Sequence, residues 1–403
     1  MFSIVATDNS ALSSACTSPT IRLRQVRDPL CGAEKDWVNM VQQVPFALGT
    51  FSIPGDDAFA GLVLEGNVID LRDVAPRCAE EGSPLSRHNS ILSVVEDWDH
   101  NIAALKIVVD IISHDDALKA KLTPVSQLRS HAPLQPRQVF CTGANYRHHV
   151  VDMIIDRFRG EGWEDRPDEE VRAQAEAMMM ERARTGEPYF FSRIATSVAG
   201  PDDDLELPDH ASQPDWEIEL GVVFKKAARH VAASDAYAHI AGYVVVNDIT
   251  NRDLIFRKDI PQLGTDWLRA KNGFGYFPLG PFLVPADFVP DPHDLRLTLK
   301  LNSQAMQNET TADMIFNIPK QVEHLTRYAK VLPGDVLATG SPAGNGTHYN
   351  RYLRPGDIME ASIEGLGTQH TRCIAASKAA CVATSTDPEA PRSSNDRAAL
   401  TAP

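Results

Sequence analysis

One stretch constrains this chain more than any other: DWEIELGVVFKK at 215–226, followed after a short connection by AGYVVVNDITNRD at 241–253. The first part reads as a strand. Glu217 and Glu219 are two apart, so in extended chain both carboxylates share one face while Ile218 and Leu220 take the other. The second part is an apolar run, Ala241 to Val246, that stops abruptly at Asn247 and Asp248. That is the pattern of a buried strand with a polar site at its mouth. If the two strands are neighbours, three carboxylates meet at one end of a sheet. They repel one another unless a cation sits among them, so the pattern predicts a site for a hard metal ion.

Composition narrows the remaining choices. The chain has 403 residues, enough for two or three domains, with 43% hydrophobic and 23% charged residues, ordinary for a globular protein. A formal net charge of −15 argues against nucleic acid and anionic membranes as partners, since both need basic patches. No apolar run approaches the length of a membrane span, so a soluble protein is expected. Cys16, Cys31, Cys78, Cys141, Cys373 and Cys381 form no metal or redox spacing, which fits a reducing compartment such as the cytoplasm. The Ser-, Thr- and Ala-rich start, with Arg22, Arg24 and Arg27 behind it, weakly resembles a transit peptide and makes a mitochondrial location the alternative. A disordered tail is the preferred reading of residues 1–43, and likewise of the Ser/Thr/Pro/Ala-rich stretch 376–403.

Between the tails, residues 44–135 read as a small β-rich N-terminal domain with helices. FALGTFSIPGDDAFAGLVLEGNVIDL carries three short apolar segments separated by turn residues, and SILSVVEDWDHNIAALKIVVDIISH has helical spacing. Residues 136–375 form the expected second domain, with a polar helical lid or insertion at 160–188. Asp165 or Asp168 is expected to cap the lid helix, and Met178, Met179 and Met180 to pack one of its faces on the domain. VFCTG at 139–143 reads as a buried strand that leads through Tyr146 into a helix. On that helix His149 and Asp152 are three apart, a spacing that lets the acid hold the imidazole, although such a pair alone is more often a surface contact.

Arg193 is the only charge in an apolar stretch and is expected to be a structural salt-bridge partner. Lys271, among Trp267, Phe274 and Phe277, is either partly desolvated and available to an anion or a solvated lysine before a turn. LRLTLKLNSQAMQ alternates with period two and turns at Asn302-Ser303, a hairpin signal. The loop TGSPAGNG at 339–346 matches neither the phosphate-binding loop nor the serine-hydrolase elbow. Its expected use is to expose backbone N–H groups and a hydroxyl at a strand end, where a carboxylate or oxyanion can dock.

Taken in order, CTGANYRHHVVDM, the Glu-x-Glu of DWEIELGVVF, VNDITNRDL, LRAKNGFGYFPLGP, DMIFNIP and PGDVLATGSPAGNG with EGLG resemble the fumarylacetoacetate hydrolase family over about 139–373. The resemblance implies an α+β, mainly β fold: a mixed β-sandwich roll as C-terminal catalytic domain, behind a small β-rich N-terminal domain. It implies a divalent metal, usually Mg²⁺ with Mn²⁺ or Ca²⁺ as alternatives, held by Glu217, Glu219 and Asp248; all-oxygen ligation is independently what hard cations prefer. It places His149 as catalytic base with Asp152 as its orienting acid, where a subset of members has Glu. Lys271 matches the lysine that contacts substrate oxygen. Arg252, Thr339, Gly340 and Tyr146 are the implied substrate-binding residues, and Ile255 stands where some hydrolases carry Gln. The implied partners are a small 2-oxo or diketo acid and a second copy of the chain in a homodimer. The implied activity is hydrolysis of a C–C bond in an acylpyruvate- or fumarylacetoacetate-like diketo acid: His149 activates water, and an enolate product is stabilised by the metal and Lys271. Hydration or isomerisation of a 2-oxo-alkenoate, or decarboxylation of an oxaloacetate-type acid, is the alternative on the same scaffold.

Overall fold

The computed structural model describes residues 45–160 and 162–376. The expected tails, and the transit-peptide reading with them, lie outside the described residues apart from Ala376. Near the amino end, the strands Ala47–Ser52, Phe59–Leu64 and Asn67–Asp70 pair antiparallel in sequence order, and two short strands complete a five-stranded sheet. Helices Leu71–Glu80, Ile91–Glu96 and Trp98–Ile112 follow, as the apolar spacing at 90–114 predicts.

The central sheet has six strands in the order Val284–Pro285, Ile240–Asn247, Ile218–Phe224, Val336–Ala338, Val139–Gly143 and Tyr189–Arg193. Every residue of Ile218–Phe224 and Ile240–Asn247 is buried, because this sheet is covered on both faces. Leu220, Val222 and Val245 face a core shared with the second sheet, through residues such as Leu297, Leu299 and Ile363. Val223, Val244 and Val246 face the N-terminal unit, in a core with Leu48, Leu62 and Leu105. The period-two alternation of strands produces both contacts from one run of sequence. The N-terminal unit is joined to this sheet by backbone as well: Leu48 and Leu283 exchange hydrogen bonds of 3.0 and 2.8 Å.

The second sheet runs Gln304–Thr310, Arg296–Leu301, Ile358–Ile363, Gly367–Ala375 and Leu205–Leu207. Its hairpin turns at Asn302 and Ser303, both with positive φ, as the sequence predicts. The mainly β, mixed architecture is therefore as expected.

The lid departs from expectation in detail. Its helix spans Asp168–Thr185, but Pro167 occupies the cap position without a side-chain bond, so neither Asp165 nor Asp168 caps it. Asp168, Glu169 and Glu170 fill the first turn and Arg182 and Arg184 the last, where each charge favours the helix dipole. Of the three methionines only Met179 is buried; Met178 and Met180 are exposed, since consecutive residues on a helix cannot share one face.

Candidate metal centre and active site

The two strands that open the sequence argument are direct neighbours. Ile218 pairs with Asn247 and Glu219 with Val246 in antiparallel register. Beyond the last pair, Asn247 accepts from the Glu217 backbone N–H through Oδ1 at 2.9 Å, and Asp248 N–H donates to Glu217 O at 2.8 Å. Those bonds place Glu217, Glu219 and Asp248 together at one sheet end. A carboxylate oxygen from each lies within 4.8 Å of the others, and all three residues are buried.

Charge at this floor is tightly tied. Lys271 Nζ donates to Glu217 Oε2 at 2.6 Å and to Asp248 Oδ2. Arg252 donates to Glu217 Oε1 at 2.6 Å and to Asp215 Oδ2 at 2.8 Å. Arg193 donates from Nε to Asp248 Oδ1 at 2.5 Å, while its other nitrogens donate to the carbonyls of Ile249 and Lys271. Burial opposes ionisation of Glu217, yet Arg252 and Lys271 outweigh it and hold its carboxyl below the usual range. For Glu219 the balance is reversed: burial, then the charges of Asp248 and Glu217, push its pKa well up. The three cations Lys271, Arg252 and Arg193 are spent on Glu217, Asp248 and Asp215, so none is paired with Glu219, and an added divalent cation corrects that imbalance. The donor set, all carboxylate oxygen, is the chemistry that Mg²⁺ and similar hard ions take.

The glycine-rich loop meets the same floor. Thr339 donates from both its backbone N–H and its hydroxyl to Leu220 O, at 3.1 and 2.9 Å, which continues the strand pairing. Gly340 then turns with φ +102°, and its N–H donates to Glu219 Oε2 at 2.8 Å. A Cβ there would lie 2.7 Å from Asn145 Cβ, so the close approach requires glycine. Of the implied substrate-binding residues, Gly340 thus spends its donor on Glu219, and Arg252 spends its own on Glu217 and Asp215. Tyr146 is different: its hydroxyl is buried beside Thr339 without a hydrogen bond of ordinary geometry among the described residues, and Glu219 lies near enough for its charge to act on it.

His149 projects from helix Arg147–Gly160 and is enclosed mainly by burial, which lowers its pKa to about 4 despite the opposing pull of Glu217. The imidazole is neutral near pH 7 and has a lone pair to offer. Its expected partnership with Asp152 is not what the structure shows. No hydrogen bond joins the two among the described residues; the Asp152 carboxylate stands 3.8 Å from Arg172 of the lid helix and 3.8 Å from His348. One turn of helix brings the two residues to one side, but the carboxylate lies toward Arg172 and His348 on other segments.

Lys271 is buried, not solvated, and its aromatic neighbour is Phe191, 5.1 Å from Nζ, with Trp267 stacked behind; Phe274 is 83% exposed. The expectation that Arg193 is a salt-bridge partner holds, and that partner is Asp248. Sequence reasoning missed Asp215 and His348. Asp215 accepts from Gly346, Thr347 and Arg252 and was visible only as the first letter of the strand motif. His348, in an irregular loop, carries no periodic signal.

The fumarylacetoacetate (FAA) hydrolase C-terminal family model matches residues 138–374. The chain belongs to the fumarylacetoacetate hydrolase family of enzymes. It is 40% identical over 186 residues to 2,4-didehydro-3-deoxy-L-rhamnonate hydrolase of Sphingomonas sp. (strain SKA58), covering 45% of this chain and 64% of that protein, just under two thirds of its length. It is 33% identical over 256 residues to the mitochondrial oxaloacetate tautomerase FAHD2B of Homo sapiens, covering 62% and 72%. Among solved structures, the fumarylacetoacetate hydrolase of Exiguobacterium antarcticum superposes with a TM-score of 0.60 at 24% identity, covering 82% of this chain and all of that one, a likeness of fold. No helix among the described residues is long and apolar enough to cross a membrane.

Proposed function

We propose that this protein hydrolyses a C–C bond in a 2,4-diketo acid of the acylpyruvate type, with a divalent cation, Mg²⁺ first, held by Glu217, Glu219 and Asp248. The observation that carries the reading is the buried carboxylate triad standing beside a neutral imidazole. The hydrolase name of the Sphingomonas relative supports it. A bound cation supplies Lewis acidity toward the 2-oxo acid end of the substrate.

The chain's own residues do the rest. His149 takes a proton from water at its unprotonated ring nitrogen, and the water oxygen adds to the carbonyl farther from the carboxylate. The bond between that carbonyl carbon and the adjacent CH₂ breaks, and its electron pair passes to the 2-oxo acid half. The CH₂ takes the proton that His149 drew from water and becomes a methyl group, and the carboxylic acid formed then gives up its own proton to the freed imidazole. Lys271 holds Glu217 and Asp248 in place and keeps a positive charge where negative charge develops. The Tyr146 hydroxyl, buried close to Glu219 and Thr339, serves the substrate.

A second reading is isomerase or tautomerase chemistry on an oxaloacetate-type acid. The tautomerase name of the human relative favours it, and so does the missing His149–Asp152 bond, because moving one proton needs a base but no activated water. In either case the protein acts on a small molecule. The homodimer is part of the proposal, supported by exposed Phe256, Leu263, Leu268 and Phe274 on the segment that carries Arg252 and Lys271. So is a cytoplasmic location, with the mitochondrion, where the human relative is named, as the alternative. NMR of the products from an acylpyruvate decides between the two activities. Pyruvate plus a carboxylic acid, dependent on Mg²⁺ and lost in His149→Ala, is the expected result. Keto–enol interconversion alone would overturn hydrolysis and leave the second reading.

A further inference from the structure

The glycine-rich loop brings a second imidazole to the site. Gly346 N–H donates to Asp215 Oδ1 at 2.5 Å, and Thr347 donates to Asp215 Oδ2 from its N–H at 3.2 Å and its hydroxyl at 3.1 Å. Asp215 in turn accepts from Arg252, which holds the metal ligand Glu217. The loop is therefore latched to the metal floor. His348, the next residue, is placed by this latch, by the Tyr349 hydroxyl bonded to Met306 O at 2.9 Å, and by an edge-on ring contact with Tyr349.

His348 Nδ1 stands 3.8 Å from Asp152 Oδ2. The His348 side chain is 49% exposed, so it spans the boundary between the site and solvent. His149 lies near enough for the charge of His348 to bear on it. The groups facing His348 are Asp152 and His149 on the catalytic helix, Arg172 on the lid beyond Asp152, and Tyr349 on its own loop. Asp152 thus stands nearest an imidazole other than the one its spacing predicts.

The proposed reaction gives that imidazole a task. At neutral pH, a diketo acid and water yield a carboxylate, a 2-oxo acid and one net proton. Hydrolysis under a lid must release that proton, and an enclosed neutral His149 is a poor place to leave it. We propose that His348, standing beside Asp152 at the edge of the site, is its proton-exchange residue, carrying protons between His149 and solvent. It acts through His149 and touches neither substrate nor metal. This inference rests on the proposed function and extends it, because sequence and family resemblance assign His348 no role.

The test uses His348→Ala and His348→Gln beside the wild type, with saturating Mg²⁺ and a weak buffer free of imidazole. Two readouts are taken: acylpyruvate hydrolysis over a range of pH, and exchange of the pyruvate methyl hydrogens in D₂O. Both variants are expected to lose roughly tenfold or more in kcat, with KM and the melting temperature unchanged. Added imidazole restores the rate of His348→Ala in proportion to its concentration, and the acid–base limbs of the profile shift. Unchanged kcat in both variants would overturn the inference. So would a loss that comes with raised KM and no response to imidazole, since that marks a structural role for the loop. If the wild type cleaves no diketo acid, the proposed function fails. The pyruvate exchange then judges His348 separately, and equal exchange in wild type and His348→Ala rejects it.

Discussion

The floor of the site and its wall are built on opposite principles. At the floor, Arg193 and Asp248 have 0% and 2% of their side chains exposed, and each metal-site carboxylate is held by Lys271, an arginine or a backbone N–H at 2.8 Å or less. On the wall, Asp152 and His348 are 28% and 49% exposed and meet only at 3.8 Å. Buried charge must be compensated at close range or it destabilises the fold, whereas half-exposed charge is served by water and can exchange partners. The floor is therefore fixed by its own electrostatics, and the wall is left free to move protons.

This contrast breaks first if the floor tolerates substitution. Asp248→Ala leaves Lys271 and Arg193 buried with a single nearby carboxylate, Glu217 on Lys271, so urea denaturation is expected to show a loss of roughly 3–5 kcal/mol. A loss below about 1 kcal/mol, the scale of a surface pair, would mean that the floor is not the rigid element described.

His149→Ala sharpens the comparison by separating rate from stability. A general base contributes about 10²- to 10⁴-fold, so kcat should fall by that order. Stability near pH 7 should change little, since His149 makes no hydrogen bond among the described residues. The sign of its pH effect follows from its folded pKa of about 4 against an ordinary 6.5. Between those values the unfolded chain binds the extra proton, so wild-type stability falls as pH drops through that window. Denaturation curves at several pH values should show His149→Ala losing that part of the slope; an unaltered slope would place the neutral imidazole elsewhere.

The smallest effect belongs to the wall pair. Arg172→Ala removes a partner of Asp152 at 3.8 Å with 55% of its own side chain exposed, and should change stability by no more than about 1 kcal/mol. A larger loss by denaturation would show the lid to be clamped through Asp152.

How legible these regions were in sequence follows the same division. Glu217, Glu219 and Asp248 were readable because strand periodicity converts spacing into direction, and a buried strand ending in acid is a strong pattern. The hairpin at Asn302-Ser303 was readable for a related reason, its turn chemistry. The wall was harder. The i, i+3 spacing placed His149 and Asp152 on one side of a helix but said nothing of competing partners from the lid and the loop, which come from 20 and 196 residues away. Phe274 is close to Lys271 in sequence but exposed, whereas Phe191, with Trp267 stacked on it, is brought beside the lysine by the sheet.

The most direct test of the central claim is a Mn²⁺ titration followed by electron paramagnetic resonance, on chain first stripped with EDTA. The account predicts one site per chain, displaced by Mg²⁺, lost in Glu219→Gln, and altered in spectrum when a 2-oxo acid is added. Free Mn²⁺ signal undiminished by the wild-type protein, or binding that survives Glu219→Gln unchanged, would contradict it.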